Sequence, residues 1–351
     1  MLSAEPIKIG IAGPFSGPYV AAGDQQWQGA MQAVEDINKK GGINGNNLVL
    51  INADDACTNQ KAEQIAKKFV ASHEITAVIG HNCSATTLAA AKIYADAKML
   101  MITPASTTPE ITEHNYSSIF RTCGRDDTQG QVAADFMIHK LKAKKIAIFY
   151  TNTVYGRGIA ESTKNALEKL GNPPILFQPL DHDQINDAFL LNKTSAIEPD
   201  VIYFGGLHTD AGNFLKYLHE HKINAIFMGS DGLASPDFVQ AAGGPNNVAD
   251  VYMTFFDDPS TRSEANKVLK ELENKHITPT GYTLNSYAAV QAIATALKNA
   301  PPAKMSEWLH QHTVDSVLGP LKWDKNGDLN KNLFIVYKWN DDGGYDVYWR
   351  P

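Results

Sequence analysis

The chain has 351 residues and a formal net charge of -7. That length is more than one ordinary domain needs, and it predicts two domains. The acidic balance excludes a typical nucleic-acid-binding module, because such modules present a basic face. No stretch reaches the roughly 18 apolar residues that a membrane-spanning helix needs.

The N-terminal segment, residues 1–6, has neither a basic n-region nor an apolar core. It is therefore not an intact signal peptide. Two readings follow from this. Either the protein is cytosolic, or a leader has been removed and Met1 added.

The first third of the chain alternates short apolar runs with segments of helical periodicity. A strand is predicted over 7–12 and a helix over 25–39, where apolar residues recur on one helical face. Gly41, Gly42 and Gly45 then end the helix and turn the chain. Further strands are predicted over 48–53, 77–79 and 100–102, and further helices over 61–71 and 86–97. This order predicts a parallel sheet with helices on both faces.

The alternation restarts at residue 145 and predicts a second doubly wound lobe. Its strands are predicted over 145–150, 175–177, 201–204 and 225–228, and its helices over 155–170, 187–195 and 210–219. The later segments are a strand at 251–255, helices at 282–299 and 305–312, and a hairpin of 334–338 with 345–349. Because part of this later material can complete the first lobe, we expect one lobe of residues 1–122 and 252–330. The other then comprises residues 123–251 and 331–351.

Two polar segments, residues 80–86 and 101–110, follow predicted strands in the first lobe. Hydroxyls and free N–H groups at the carboxyl ends of parallel strands are suited to a small anion, and ligands of open α/β sheets bind there. We expect the carboxylate of an amino acid. Ser84, Thr86, Thr107 and Thr108 are also good helix N-caps. The two roles are compatible, because a capped helix start still attracts an anion.

Two residues of the second lobe have alternative interpretations. Asp231 lies just past a strand end, either as a turn aspartate or as the counter-charge for an ammonium group. Tyr155 opens a helix, either as an exposed aromatic residue or as a lid over a ligand.

The three cysteines leave the redox state open. Cys57 and Cys83 each follow a predicted strand, and a bridge between them would stabilise the fold by roughly 3 kcal/mol in the chain-entropy model. It would require an oxidising compartment. Two buried thiols fit the spacing equally well. Cys123 is left over and is expected to be a small buried residue.

Signatures of catalysis and of cofactor binding are absent. The sequence contains no Gly-x-Ser-x-Gly, His-Glu-x-x-His, Walker or Cys-x-x-Cys motif. Gly10, Gly13 and Gly17 have the wrong spacing for a dinucleotide fingerprint. We therefore expect no catalytic residue and no cofactor.

Two segments that could bind a metal fail on inspection. Residues 324–328 place oxygen ligands on alternate positions, but Leu329 and Ile335 stand where a calcium loop needs Gly and Glu. A tight turn is expected there instead. His219 and His221 would point to different faces of a helix. No metal site is expected.

The chain resembles the type I periplasmic solute-binding proteins of ABC importers, specifically the leucine/isoleucine/valine-binding proteins. The resemblance spans nearly the whole chain. Its markers are Gly23-Asp24-Gln25, Glu35-Asp36-Ile37-Asn38, Gly41-Gly42-Ile43, Asp54-Asp55-Ala56-Cys57, Gly80-His81, Cys83-Ser84, Met101-Ile102-Thr103-Pro104-Ala105, Tyr155-Gly156, Gly205-Gly206, Met228-Gly229, Gly319-Pro320-Leu321 and Trp323-Asp324.

The resemblance implies an α/β fold of two doubly wound, Rossmann-like lobes. Three crossovers join the lobes, a cleft closes on an amino acid, and Cys57 pairs with Cys83. In the family's pattern, the ligand's carboxylate and ammonium are held by Ser84 and by the stretch from Ala105 to Thr107. An acid at Asp231 helps to hold the ammonium, and the family commonly has Glu there.

Three positions depart from the leucine-binding pattern. Ala22 and Leu207 replace tyrosines of the relatives, and Asn82 replaces an apolar residue beside the pocket. Loss of two aromatic walls is expected to enlarge the pocket and change its polarity. Tyr282 is a further candidate for setting specificity.

The resemblance implies a non-enzymatic, monomeric periplasmic protein that binds a branched-chain or related amino acid between its lobes. It would deliver this ligand to a membrane permease. Alternative ligands are an amide, a larger amino acid or another small carboxylate, and an alternative function is ligand sensing. Nucleic acid is not expected as a partner.

Overall fold

The chain folds into two compact units. A computed structural model describes residues 5–180, 188–257, 259, 262–331 and 334–351, with the backbone alone for residues 188–191. One unit comprises Met1–Gly124 and Asp258–Asn332, and the other comprises Arg125–Asp257 and Leu333–Pro351. The chain therefore passes between the units at residues 124–125, 257–258 and 332–333.

The N-terminal part of unit 1 alternates strands and helices throughout. Its elements are β1 (Ile7–Gly13), α1 (Val20–Lys39), β2 (Leu48–Asp54), α2 (Asn59–Ser72), β3 (Ile75–Ile79), α3 (Ser84–Asp96), β4 (Leu100–Thr103), α4 (Glu110–Glu113) and β5 (Ile119–Arg121). The strands form a parallel sheet in the order β2-β1-β3-β4-β5.

The chain then builds most of unit 2. Its elements are α5 (Asp126–Asp135), β6 (Ile146–Tyr150), α6 (Val154–Lys169), β7 (Leu176–Pro179), α7 (Ala188–Ile197), β8 (Val201–Gly205), α8 (His208–Glu220), β9 (Ile226–Gly229), α9 (Pro236–Ala241), α10 (Pro245–Val248) and β10 (Tyr252–Phe256). A π-helical turn, Phe136–Lys140, extends α5, and a 3-10 turn, Asp231–Leu233, follows β9. The predicted start of α7 at residue 187 lies outside the described residues.

The remaining elements return to each unit in turn. Helices α11 (Ser263–Asn274), α12 (Thr283–Asn299) and α13 (Met305–Gln311) belong to unit 1, and strands β11 (Phe334–Trp339) and β12 (Tyr345–Trp349) belong to unit 2. The predicted C-terminal hairpin is confirmed, because β11 and β12 pair antiparallel. Within the part of the chain that is described, no helix combines the length and the apolar character needed to cross a membrane.

The strand β10 explains why the second crossing lies later than the sequence indicates. The predicted boundary falls between residues 251 and 252, whereas the chain leaves unit 2 after Asp257. The reason is that β10 pairs with β9 on one side and β11 on the other, in a seven-stranded sheet of order β12-β11-β10-β9-β8-β6-β7. A strand with two partners in one sheet must belong to that sheet's unit.

The sheet of unit 1 is buried on both faces, as a parallel sheet requires. Alternate strand residues point to opposite sides. Ile9 and Ile79 pack in a cluster with α1 and α12, whereas Val78 and Met101 pack in a second cluster with α2 and α3. The two clusters hold the ends of β3 and β4 in place, and both polar segments begin at these ends.

Helix α1 begins five residues earlier than predicted, at Val20. Gly23 lies within this helix and allows its close approach to the loop after β1. A Cβ on Gly23 would overlap the carbonyl oxygen of Pro14. Ala22 consequently lies on the first turn of α1 and not in a loop after β1.

Candidate ligand-binding site

In unit 1, two loops at the carboxyl ends of β3 and β4 are tied together by hydroxyl groups. Thr103 Oγ1 donates to the carbonyl oxygen of His81 at 2.7 Å, and Ser106 Oγ donates to that of Asn82 at 2.8 Å. Ser106 Oγ also lies 2.6 Å from Oγ1 of Thr87 on α3. These hydroxyls serve the structure, and the loops form one rigid surface.

A buried arginine supports the second loop from below. Arg121 Nη1 donates to the carbonyl oxygens of Ser106 at 2.9 Å and Thr108 at 3.2 Å. Its Nε lies 2.6 Å from a carboxylate oxygen of Asp328, and Thr112 donates to the same carboxylate at 2.9 Å. The sequence analysis missed Arg121, because its partner Asp328 is distant in sequence and lies in a segment that suggested only a turn.

Thr107 differs from its neighbours. Its Oγ1 is enclosed, and it has no hydrogen-bond partner among the residues that the structure describes. A buried hydroxyl without a partner costs about 1–3 kcal/mol. Native proteins retain such groups where a ligand or a function compensates the cost.

Ser84 is the first residue of α3 and is buried. The N-cap is Cys83, which makes no side-chain capping bond, and Thr86 Oγ1 donates to the carbonyl oxygen of Cys83. The prediction that Ser84 or Thr86 caps this helix is therefore wrong. The first helical bond runs from the N–H of Thr87, so the N–H groups before it are left over by helix geometry.

The loop after β3 is also held on its other side. Cys57 and Cys83 form a disulfide with a Cα–Cα distance of 5.7 Å, as the resemblance implies. His81 Nδ1 lies 2.6 Å from Asp55 Oδ2, and His81 Nε2 lies 3.3 Å from Tyr94 Oη. Burial, with the Asp55 charge, raises the pKa of Tyr94, which keeps its hydroxyl protonated.

The remaining Cys123 is a buried thiol, as expected. It donates to the carbonyl oxygen of Ser106 at 3.3 Å. Cys123 therefore supports the same loop as Arg121.

Three further predicted residues lie at or near the start of α1. Asn82 Nδ2 donates to the carbonyl oxygen of Ala22 at 3.3 Å. Tyr282 precedes α12, and its backbone N–H donates to Gln25 Oε1 on α1 at 3.2 Å. Asn82 and Ala22 thus touch directly, whereas Tyr282 reaches α1 through Gln25.

The predicted residue Ala105 is buried in the loop after β4, next to Ser106 in the chain.

In unit 2, Tyr155 and Asp231 are in direct contact. Tyr155 Oη donates to Asp231 Oδ1 at 2.6 Å, lies 2.7 Å from Ser230 Oγ and accepts from the N–H of Gly232 at 3.0 Å. Asp231 is only 1% exposed. Tyr155 is therefore a partner of the acid, and Asp231 is a buried carboxylate within a 3-10 turn.

Electrostatics identify a second acid that the sequence analysis missed. Burial first, and then the charges of Asp231 and Asp126, raise the pKa of Tyr155 well above its usual value. Burial first, and then the same two carboxylates, raise the pKa of Tyr203. Asp126 is buried at the first position of α5. No sequence motif marks it, because an Asp in a helix's first turn is ordinary.

Leu207 follows a glycine that lies against the 3-10 turn. It is half-buried at the N-cap of α8, directly after Gly206. Gly206 and Gly232 approach so closely that a Cβ on Gly232 would overlap the carbonyl oxygen of Gly206. His208 hydrogen-bonds the backbone of Gly232, and burial lowers its pKa, which favours the neutral imidazole.

The predicted residues thus form two groups, each within its own unit. Ser84, Ala105, Thr107, Asn82 and Ala22 lie on or beside the two loops of unit 1. In unit 2, Asp231 begins the 3-10 turn, Tyr155 bonds Asp231, and Leu207 follows Gly206, which lies against the turn. Within the described ranges, no group of three or more His, Cys, Asp or Glu side chains could hold a metal ion. A role for these residues in ligand binding stays a prediction.

Comparison with known proteins assigns the chain to a family. A sequence model described as periplasmic binding protein matches residues 6–344. An amino acid binding protein of Pseudomonas aeruginosa is 42% identical over 97% of this chain and 91% of its own length. A Leu/Ile/Val-binding protein of Escherichia coli strain K12 is 36% identical over 98% of this chain and 93% of its own length.

A solved structure supports the same assignment at the level of fold. The branched-chain amino acid transporter substrate binding protein of Streptococcus pneumoniae, solved with isoleucine, superposes with a TM-score of 0.90. It covers 98% of this chain and 100% of its own, with 23% sequence identity. The expected two-lobed α/β fold is confirmed. The chain belongs to the type I periplasmic binding proteins, in the leucine/isoleucine/valine-binding family.

Proposed function

We propose that this protein is the substrate-binding component of an ABC amino-acid importer. It binds one amino acid and delivers it to a membrane permease from the periplasm, and it catalyses no reaction. The observation that carries this proposal is the buried hydroxyl of Thr107, which has no partner among the described residues.

The groups of unit 1 suit the ligand's carboxylate. Thr107 follows Ser106, whose hydroxyl contacts Thr87 on the first turn of α3. Ser84 begins that helix, where N–H groups and the positive end of the helix dipole favour an anion. Hydrogen bonds to a carboxylate are about twice as strong as those between neutral groups. Thr107 and the start of α3 are the proposed carboxylate contacts.

The acids of unit 2 suit the ligand's ammonium. Asp231 accepts a hydrogen bond from Tyr155, and Asp126 is close enough to raise the pKa of the same tyrosine. A buried carboxylate is stabilised by a cation that pairs with it. We assign Asp231 as the ammonium contact and Asp126 as a second source of negative charge.

The relatives indicate the ligand class. The Pseudomonas relative is described as amino acid binding, and the Escherichia relative as Leu/Ile/Val-binding. We therefore propose a branched-chain or related amino acid.

A ligand panel tests the proposal. Thermal unfolding is recorded with each of the twenty L-amino acids, and hits are confirmed by isothermal titration calorimetry. At a ligand concentration of 100 times Kd, a bound amino acid stabilises the native protein by about 2.7 kcal/mol. A panel in which no amino acid raises the Tm or gives heat would overturn the proposed function.

A substitution at Thr107 tests its role separately. Thr107→Val keeps the shape and removes the hydroxyl, so we expect binding to weaken by about 1.5–3 kcal/mol, as for hydrogen bonds to charged groups. The unliganded protein should be at least as stable, because no buried hydroxyl then lacks a partner. Thr128→Val, at an exposed threonine in unit 2, is the matched control. Equal affinities for both variants would exclude Thr107 as a contact.

A further inference from the structure

We propose that Asn82 selects ligands whose side chain donates a hydrogen bond, as a hydroxyl or an amide N–H does. This inference rests on the proposed function, because it assumes an amino acid beside the loops of unit 1. It sets a preference that the family assignment leaves open.

The argument begins with the orientation of Gln26 on α1. Gln26 is fully buried, and its Nε2 donates to the carbonyl oxygens of Ala12 at 3.0 Å and Ile79 at 3.3 Å. Both partners can only accept, so the amide nitrogen must face them. The Oε1 of Gln26 is therefore fixed on the opposite side of the amide.

This orientation in turn fixes Asn82. Its Nδ2 lies 3.3 Å from Oε1 of Gln26 and 3.3 Å from the carbonyl oxygen of Ala22. Both are acceptors, and the reversed amide would place oxygen against two oxygens. Nδ2 must therefore face α1, and Oδ1 is left as an acceptor. No residue of the described chain donates to Oδ1.

The backbone of Asn82 cannot move away from the candidate site. Its carbonyl oxygen accepts from Ser106 Oγ at 2.8 Å, and the next residue, Cys83, is bonded to Cys57. Two residues later the chain reaches Ser84, the start of α3. Asn82 thus presents a fixed acceptor between α1 and the proposed carboxylate contacts.

A fixed acceptor discriminates between ligands of equal shape. A hydroxyl or amide N–H can pair with Oδ1, whereas a methyl group of the same size covers the oxygen and leaves it without a partner. Sites built to hydrogen-bond a substrate reject isosteres that lack the donor. The two members of an isosteric pair have the same shape. The hydrogen bond to Oδ1 should therefore give the polar member a higher affinity than its shape alone would provide.

Two isosteric pairs provide the test, threonine with valine and asparagine with leucine. Dissociation constants are measured by calorimetry for wild type and for Asn82→Leu. In the variant, we expect the Kd ratio of polar to apolar ligand to rise by about 3- to 10-fold in at least one pair, the range for one hydrogen bond. Asn59→Leu, at an exposed asparagine on α2, is the control and should keep the wild-type ratio.

The outcomes separate the inference from the proposed function. Unchanged ratios in both pairs, in a variant that still binds leucine or valine, overturn the inference alone. If wild type binds none of the four and no other amino acid, the proposed function fails as well. If Asn82→Leu fails to fold, the affinities of the wild-type protein for the two ligand pairs decide the question. A wild-type preference for the apolar member of both pairs by 100-fold or more contradicts a selecting acceptor.

Discussion

Asp231 shows how one tyrosine orients an acid at a buried position. Burial and two nearby carboxylates raise the pKa of Tyr155, so its hydroxyl remains a donor at every physiological pH. That donor bonds Asp231, and a hydrogen bond to the ionised form stabilises a carboxylate. The Asp231 carboxyl group is thus held in one orientation before any ligand arrives.

Replacement of Asp231 should weaken ligand binding without loss of the fold. Asp231→Asn keeps the shape and an acceptor for Tyr155, but it removes the charge. We expect an affinity loss of about 1.5–3 kcal/mol, the range for hydrogen bonds to charged groups. Calorimetry with the best amino acid of the panel measures the loss. Asp250→Asn, at an exposed acid of the same unit, serves as the comparison and should bind like wild type.

If Asp231→Asn binds as tightly as Asp250→Asn, Asp231 has only a structural role. Tyr155→Phe is then informative, because the ring remains and the bond to Asp231 is lost. A smaller loss than for Asp231→Asn is expected, since the charge persists in a less fixed position.

The hydroxyls of unit 1 show what the sequence could not decide. Thr103, Ser106 and Thr107 share one polar segment, and sequence reasoning placed the ligand contacts in that segment as a whole. Thr103 and Ser106 bond the neighbouring loop, and only Thr107 lacks a partner within the described chain. Whether a hydroxyl bonds the neighbouring loop depends on where its side chain points. A position at the end of a strand does not determine that direction.

At the scale of elements, β5 secures the loop after β4 from within the sheet. It is three residues long, and its last residue, Arg121, bonds two carbonyl oxygens of the neighbouring loop and the carboxylate of Asp328. An arginine at the end of a buried strand costs desolvation, which its partners offset. Its position therefore depends on the complete network.

Removal of Arg121 should destabilise the protein strongly. Arg121→Met leaves Asp328 as a buried charge without its ionic partner, so we expect the free energy of unfolding to fall by about 3–5 kcal/mol. Urea titration followed by circular dichroism measures it. Lys92→Met breaks an exposed ion pair with Asp96 in the same unit, and such pairs contribute about 0–1 kcal/mol.

The double variant Arg121→Met with Asp328→Leu isolates the pair. If the buried charge causes the loss, the double variant should recover part of it, because no unpaired carboxylate remains. A loss below 1 kcal/mol in Arg121→Met would show that water replaces the guanidinium.

Most elements were predictable, including short strands such as β4 and β9. Periodicity over ten or more residues located α1, α6 and α12 to within five residues at each end. The strand β5 was missed because three residues carry no period, and α5 and α11 were missed as well. Helix α5 begins with Asp126-Asp127 after the N-cap Arg125, and this polar start masked the helix that follows.

At the scale of the whole molecule, the alternating order predicted the architecture and the chain's multiple crossings. The exact crossing after β10 was not predictable, because only tertiary pairing shows which sheet a single strand joins. Both units nevertheless share one physical property. Each buries tyrosine hydroxyls whose pKa burial raises.

Buried tyrosines in both units should make stability fall at alkaline pH. Burial raises the pKa of Tyr94 in unit 1 and of Tyr155 and Tyr203 in unit 2. In the unfolded chain these groups ionise near pH 10, whereas in the folded protein they stay protonated. Their contribution is therefore complete below pH 10 and is lost as the pH rises toward the raised pKa values.

The slope of this loss identifies its origin. Each tyrosine that is protonated only in the folded state lowers the free energy of unfolding by about 1.4 kcal/mol per pH unit above pH 10. Urea titrations at pH 9, 10 and 11 measure the slope, and absorbance at 295 nm reports phenolate. In Tyr203→Phe the slope should be smaller by about 1.4 kcal/mol per pH unit.

A wild-type free energy of unfolding that is constant from pH 9 to 11 would contradict the prediction, and so would phenolate from all tyrosines before unfolding. Either result would mean that water reaches these hydroxyls.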